Sequence, residues 1–304
     1  MIDRPIGRGQ MLGKAVLLVL VLCVATAAAG EPLGVAEVPA ALREELALAP
    51  FYAKCVPDAP IPVLGSQKVS DYALLEAAWL VQRMLSGRDD LAEALRKSRT
   101  RLAVMAHNEF TTDVPEHSDL APPEYWNKRA RGLGATRRRP AVSCGEENLL
   151  SYPGDPYVGE NILVHEFAHA IHEMGLNSVD ETFDARLAGI YAKAMETELW
   201  KGTYAATNKN EYWAEGVQSW FNTNRVNTRD HNHVGTREAL KEYDPALAGL
   251  IAEVFGDDPW VYSVPAERSA PGHLDGYRPE DAPRFTWPDH ILEGFKDFER
   301  GRRD

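Results

Sequence analysis

Hydrophobic residues recur at helical spacing through much of the chain. Leu74, Leu75, Ala78, Leu80, Val81 and Leu85 fall on one side of a helix spanning Ser70–Leu85. The same spacing predicts a short helical piece near Ala40–Leu48 and a helix over Asp89–Lys97, opened by Asp89 or Asp90. From Gly159 onward it predicts a run of helices: Gly159–Met174, Val179–Leu199, Asn210–Thr223, Arg237–Tyr243 and Pro245–Phe255. Ser178 and Glu181 have the spacing of a capping box for the second of that run. Gly175 is the expected stop of the first. Strand-like runs are few and short: Arg101–Ala106, Ala141–Ser143 and Asn148–Tyr152. Residues 111–140 read as irregular. So does the proline-rich tail after Gly256, whose Trp260, Tyr262, Tyr277, Phe285 and Trp287 are expected to wrap it around the body. The sum is an α+β fold, mostly helical, with a small β-sheet ahead of the helix that begins at Gly159.

The N-terminus has a different pattern. Arg4, Arg8 and Lys14 precede the apolar run Ala15–Val24, and Ala27, Ala28, Ala29 and Gly30 follow. Basic, then apolar, then small is the order of a secretory signal peptide. The expected organisation is residues 1–30 as signal, 31–140 as an N-terminal helical region or lobe, and 141–304 as the functional region. No later apolar run is long enough to span a bilayer, so no stable membrane insertion is expected after signal cleavage.

Composition changes this picture little. At 44% hydrophobic and 26% charged residues the chain has the balance of an ordinary folded protein. The net charge of −12 argues against nucleic acid as a partner. One basic stretch (Lys128, Arg129, Arg131, Arg137, Arg138, Arg139) reads as a solvated loop or as a contact for an acidic substrate. With Cys23 inside the signal, Cys55 and Cys144 remain, and in an exported chain they are expected to form a disulfide.

The chemistry concentrates at His165-Glu166-Phe167-Ala168-His169. Two histidines four apart on a helix project from one face and can bind a single metal ion, and the glutamate between them can reach a water held there. A catalytic zinc usually takes a third protein ligand and leaves one position open. Glu211 and Glu215 are also four apart on a predicted helix, among the apolar Tyr212, Trp213, Val217, Trp220 and Phe221. One of them can bind the metal while the other hydrogen-bonds a ligand histidine from behind. Spacing alone leaves open which does which. His172 shares the face of His169 and reads as a packed histidine. Asp180 is an alternative ligand. His231 and His233 are candidates for bonding a reacting carbonyl. His107, Glu109 and His117 show no ligand spacing.

Taken together, His165-Glu166-x-x-His169 and Asn210-Glu211-x-x-Ala214-Glu215 resemble the gluzincin metallopeptidases. The second stretch is similar to one in the catalytic domain of the anthrax lethal factor-like group. The resemblance covers residues 159–224. It implies a zincin-like metallopeptidase domain with zinc (Zn2+) as cofactor. His165, His169 and Glu211 would be the ligands, with Glu215 behind them. It also implies Glu166 as the general base acting on a zinc-held water, and Tyr204, seven positions before Glu211, as an aid to the transition state. The implied activity is a peptidase acting on a peptide or protein, and the N-terminal signal pattern adds a secreted or periplasmic (extracytoplasmic) location. The alternatives are a non-catalytic secreted metal-binding protein on a peptidase scaffold and a metal-dependent amidase of cell-wall material.

Overall fold

Short strands and amphipathic helices alternate through the first half of the molecule, in a computed structural model that describes residues 33–270 and 272–302. The order is β1 (Ala36–Glu37), α1 (Ala40–Leu46), β2 (Lys54–Val56), β3 (Val63–Gly65), α2 (Asp71–Met84), α3 (Asp89–Lys97), β4 (Arg101–Met105), α4 (Pro123–Arg129), β5 (Gly132–Leu133), β6 (Ala141–Gly145) and α5 (Glu146–Leu149). The second half is helical: α6 (Ile162–Ala170), running into a π-helical segment (Ile171–Leu176), then α7 (Asn177–Val179), α8 (Phe183–Glu196), α9 (Lys209–Trp220), α10 (Arg237–Tyr243), α11 (Pro245–Phe255) and α12 (Asp289–Gly301). Residues 1–30, where a signal peptide is expected, lie outside the described residues. No described helix is long and apolar enough to cross a membrane.

The six strands form one mixed sheet in the order β1-β2-β3-β4-β6-β5, so the fold is mixed α/β with a small sheet. The three central strands β3, β4 and β6 are parallel, while β1, β2 and β5 run antiparallel to their neighbours. Parallel neighbours need long crossovers. α2 and α3 supply the first, and residues 106–140 supply the second. β4 and β6 are buried at every position, which is why the chain shows no apolar/polar alternation there. One face of the sheet (Val63, Leu102, Val104, Val142, Cys144) packs under α2 and α6. The other face (Cys55, Leu64, Ala103, Met105) packs on Leu46, Leu48, Tyr52 and Val114. The sheet draws strands from both sides of residue 140, and the chain from Leu33 onward is one compact unit.

The expected disulfide is absent: Cys55 and Cys144 are both free and buried. The register explains why. Cys55 aligns with Leu64, Ala103 and Ser143 across β2, β3, β4 and β6. Cys144 is one residue further along, so its side chain leaves the opposite face. Three strand spacings also separate the two, roughly 14 Å at ~4.8 Å each, about twice what a bridge tolerates.

Other expectations are corrected by side-chain hydrogen bonds. Asn148–Tyr152 is not a strand. Asn148 is buried and donates to Asp155 (3.0 Å) and to the Glu160 carbonyl (2.9 Å) while accepting from the Ile162 amide (2.8 Å), which curls the segment into α5 and a loop. The capping box at Ser178 and Glu181 does not form. Asp180 instead takes the Thr182 amide and hydroxyl (2.9 and 2.7 Å), and α8 starts only at Phe183. Gly175 does not stop its helix. A Cβ there would stand 3.3 Å from Leu91, so the glycine serves the close approach of α3. The tail is anchored by buried Glu76, which takes both Arg268 (2.7 and 2.5 Å) and His273 (2.6 Å). It ends in α12, a helix that the proline-rich composition had hidden. Phe295 and Phe298 of α12 pack on Tyr125 of α4.

Candidate metal centre and cleft

Two crossing helices build the centre. Asn161 caps α6 by accepting the Val164 amide (3.1 Å), and Asn208 caps α9 by accepting the amides of Asn210 and Glu211 (2.8 and 3.0 Å). Leu163, Val164, Phe167, Ala168 and Ile171 bury one side of the first helix, and Tyr212, Trp213, Val217 and Trp220 bury one side of the second. The crossing is pinned by Trp213, whose indole N–H donates to the Ala168 carbonyl (2.9 Å). These contacts fix the helices so that their polar residues meet.

His165, His169 and Glu211 converge there. The two Nε2 atoms are 3.1 Å apart, and Glu211 Oε2 is 3.1 Å from one and 3.3 Å from the other. Donors on a tetrahedron with bonds of about 2.0–2.1 Å stand roughly 3.3–3.4 Å apart. Two imidazoles and a carboxylate are also ligands that zinc takes, so the set fits that ion in both chemistry and spacing. Asp180 is paired with Thr182 and Arg186 and does not join it.

The electrostatics favour positive charge at this point. Burial alone would pull the His165 imidazole down. The hydrogen bond that His165 donates to Glu211 and the charges of Glu166, Glu215 and Glu211 override it and push His165 up to about 10. Burial opposes ionisation of Glu211, but the hydrogen bonds from His165 and His169 hold it well below the usual carboxylate range. A cluster that so favours a cation is one that a metal ion can satisfy in place of protons.

The residue behind His165 is not the one expected. Glu215 Oε1 lies 3.7 Å from His165 Nδ1, while Gln218 Oε1 lies at 2.8 Å. Gln218 donates its amide NH2 to the Asn161 carbonyl (3.3 Å), so its oxygen is the atom that faces the histidine. That oxygen requires the proton on Nδ1 and leaves Nε2 turned to the cluster. Glu215 instead accepts from Asn224 (2.9 Å) and faces His231 Nε2 (3.5 Å). A signal for Gln218 existed in the chain. Glu211, Glu215 and Gln218 fall at i, i+4 and i+7, polar positions on one face of an otherwise buried helix.

Glu166 sits beside the three converging side chains, against β5. Gly132 and Gly134 let that strand pass close. A Cβ on Gly132 would lie 2.4 Å from Ile162 Cγ2 and 3.0 Å from Glu166 Cγ, and one on Gly134 would lie 2.9 Å from His169 Cβ. Burial raises the Glu166 carboxyl, with the two histidines pulling the other way. Tyr204 lies on a 3-10 turn (Tyr204–Ala206), its amide bonded to the Asp230 carbonyl (2.7 Å) and its ring 6.2 Å from that of His165. Burial and the Glu211 charge push its phenol up to about 12, so it keeps its proton.

These groups open on a cavity of about 210 Å³ that Arg129, Tyr157, Glu166, Tyr204, Arg225 and His231 help to line. The remaining candidates fall elsewhere. His172 is buried against Asp184 (3.1 Å). His233 packs edge-on to Tyr243. His107 pairs with Glu146, Glu109 holds the Ala106 amide, and His117 bonds Ser143. The basic stretch does not act as one patch. Arg131 is buried on Glu147, Arg138 and Arg139 pair with Asp119, and Lys128 lies over Trp287.

No family model matches the chain, and no curated protein matches its sequence. Among solved structures the chain is similar to the Pro-Pro endopeptidase PPEP-2 from Paenibacillus alvei, at 20% identity and a TM-score of 0.43. The match covers 64% of this chain and 97% of that one. The functional assignment therefore stands on the cleft itself.

Proposed function

We propose that the chain is a zinc-dependent metallopeptidase that hydrolyses peptide bonds. The carrying observation is the convergence of His165, His169 and Glu211 within 3.3 Å of one another, with Glu166 on the same helix beside them. Held by those three residues, zinc would polarise the scissile carbonyl and make a water acidic enough to ionise near neutral pH. Gln218 keeps His165 in the tautomer whose Nε2 faces the site. Glu166 takes the proton from the attacking water and returns it to the leaving amine, and its raised pKa suits both transfers. Tyr204, protonated, donates to the oxygen that gains charge. Among the described residues β5 has β6 on one side and no strand partner on the other, and its Gly132 lines the cavity. An open strand edge beside the reacting centre suits an extended peptide.

Export is part of the same proposal and rests on the basic, apolar and small-residue order of residues 1–30. Mass spectrometry of the chain recovered outside the cytoplasm tests it: a mature N-terminus near residue 30 supports export, and an intact residue 1 opposes it. The activity is tested by measuring zinc in the purified chain and its action on a mixed peptide library. About one zinc per chain and new peptide termini that vanish with chelator support the proposal. Bound zinc with no cleavage favours a binding protein instead, and cleavage that survives complete metal removal overturns the mechanism.

A further inference from the structure

We infer that Arg129 is a substrate-binding residue and that the cleft selects peptides carrying a carboxylate next to the bond that is cut. The inference deepens the peptidase reading and rests on it. Arg129 lines the cavity that also holds His165, Glu166 and Tyr204. The other cations there have partners. Arg225 is 3.0 Å from Glu160 and donates to the carbonyls of Pro156 and Val158. Arg131 is buried on Glu147. His231 faces Glu215. Among the described residues, no carboxylate lies within ion-pair distance of Arg129. From beyond that distance its charge favours the ionised form of Glu166 in the same cavity.

The backbone beneath Arg129 is held on both sides. Tyr157 Oη donates to the Arg129 carbonyl (3.2 Å), and Thr111 donates to the Ala130 carbonyl (2.6 Å). Two residues on, Arg131 is fully buried, with both Glu147 oxygens (2.5 and 2.9 Å) and the Glu109 carbonyl (2.5 Å) on its guanidinium. A guanidinium on a fixed base, lining the cleft with no carboxylate in ion-pair contact among the described residues, can take one from outside. Its planar fork matches a carboxylate with two parallel hydrogen bonds. The net charge of −12 does not prevent this, since distant charges are screened beyond about 8 Å at physiological salt.

An acidic side chain and a free C-terminus offer the same carboxylate, and the test separates them. The probe protein is the full chain with Glu166→Gln, zinc-loaded, so that peptides bind without being cut. Isothermal titration compares two matched pairs of synthetic peptides. One pair differs by Asp or Glu against Asn or Gln inside the peptide; the other differs by a free against an amidated C-terminus. In at least one pair the carboxylate member should bind about 10- to 100-fold tighter, and that pair names the source. Adding Arg129→Gln should shrink the ratio to within about threefold, and Arg129→Lys should restore part of it. Equal binding within both pairs, no binding by any peptide, or a ratio that survives Arg129→Gln overturns the inference. The peptidase reading fails separately: discrimination by the probe protein with no cleavage by the unmutated enzyme removes the activity and keeps the anchor.

Discussion

Replacing Gln218 with leucine should weaken zinc binding without touching a ligand. The side chain is fully buried, and its oxygen lies 2.8 Å from His165 Nδ1. Leucine leaves that N–H without its acceptor in a dry site, a loss worth about 1–3 kcal/mol. Removing such an orienting partner lowers metal affinity about 10- to 100-fold, or roughly 1.4–2.8 kcal/mol, so the two estimates agree. The nearest substitute is Glu215 Oε1, 3.7 Å from the same nitrogen. A small shift brings it into range, which places the single variant near tenfold. Gln218→Leu with Glu215→Ala removes that fallback, so the double loss should exceed the sum of the single ones. Gln218→Glu keeps an acceptor and should retain most of the affinity. Competition with a chromophoric chelator at fixed pH measures all four variants. Unchanged affinity in Gln218→Leu, with a 10- to 100-fold loss in Glu215→Ala, would refute the reasoning and restore Glu215 as the orienting residue.

Three further outcomes follow from the same structure. Tyr204→Phe should lower kcat about 10²-fold with little change in zinc content; a normal kcat would return Tyr204 to packing. Gly132→Ala should destabilise the fold by about 1–3 kcal/mol in urea denaturation, because its Cβ would press on Ile162 and the Ser143 carbonyl; unchanged stability would mean that β5 stands off from α6. His117 and Asp155 should give opposite pH slopes, since burial lowers the first to about 4 and raises the second to about 6. Unfolded histidine binds its proton near pH 6.5, so acidification from there to about 4 destabilises the fold through His117. Unfolded aspartate binds only near 3.9, so folded Asp155 gains its proton first and stabilises the fold from about 6 downward. Each term is on the order of 3 kcal/mol, and they nearly cancel. His117→Gln should therefore gain stability relative to the parent between pH 6.5 and 4.5, and Asp155→Asn should lose it; parallel profiles for all three proteins would contradict both shifts.

Much of the helical body is written in the chain because burial on one face imposes a period. Asp89–Lys97, Arg237–Tyr243 and Pro245–Phe255 have the bounds that their apolar spacing predicts. The sheet is less legible. β1 and β5 have two residues each and β2 and β3 three, too few to show a period, while β4 and β6 are buried on both faces and show none. The disulfide expectation fails because register, which sets the face of Cys55 and Cys144, is a property of pairing between distant strands. At the site, helical spacing groups His165 with His169 and Glu211 with Glu215, but each pairing comes from within one helix. How α6 and α9 cross is decided by Trp213 and the buried faces. That crossing places Gln218, rather than Glu215, behind His165. Arg129 is visible in the sequence only as one member of a basic run, and its lack of an ion-pair partner comes from how the folded cleft places it, which no spacing encodes.

The most direct test of the proposed peptidase activity pairs Glu166→Gln with the parent chain. Both are assayed for zinc per chain and for amide cleavage of one internally quenched peptide taken from the library hits. Glutamine keeps the shape of the side chain but cannot take a proton. Zinc content should equal that of the parent and hydrolysis should fall at least ~10³-fold, with no recovery on added zinc. Hydrolysis near the parent rate by a zinc-replete Glu166→Gln would contradict it.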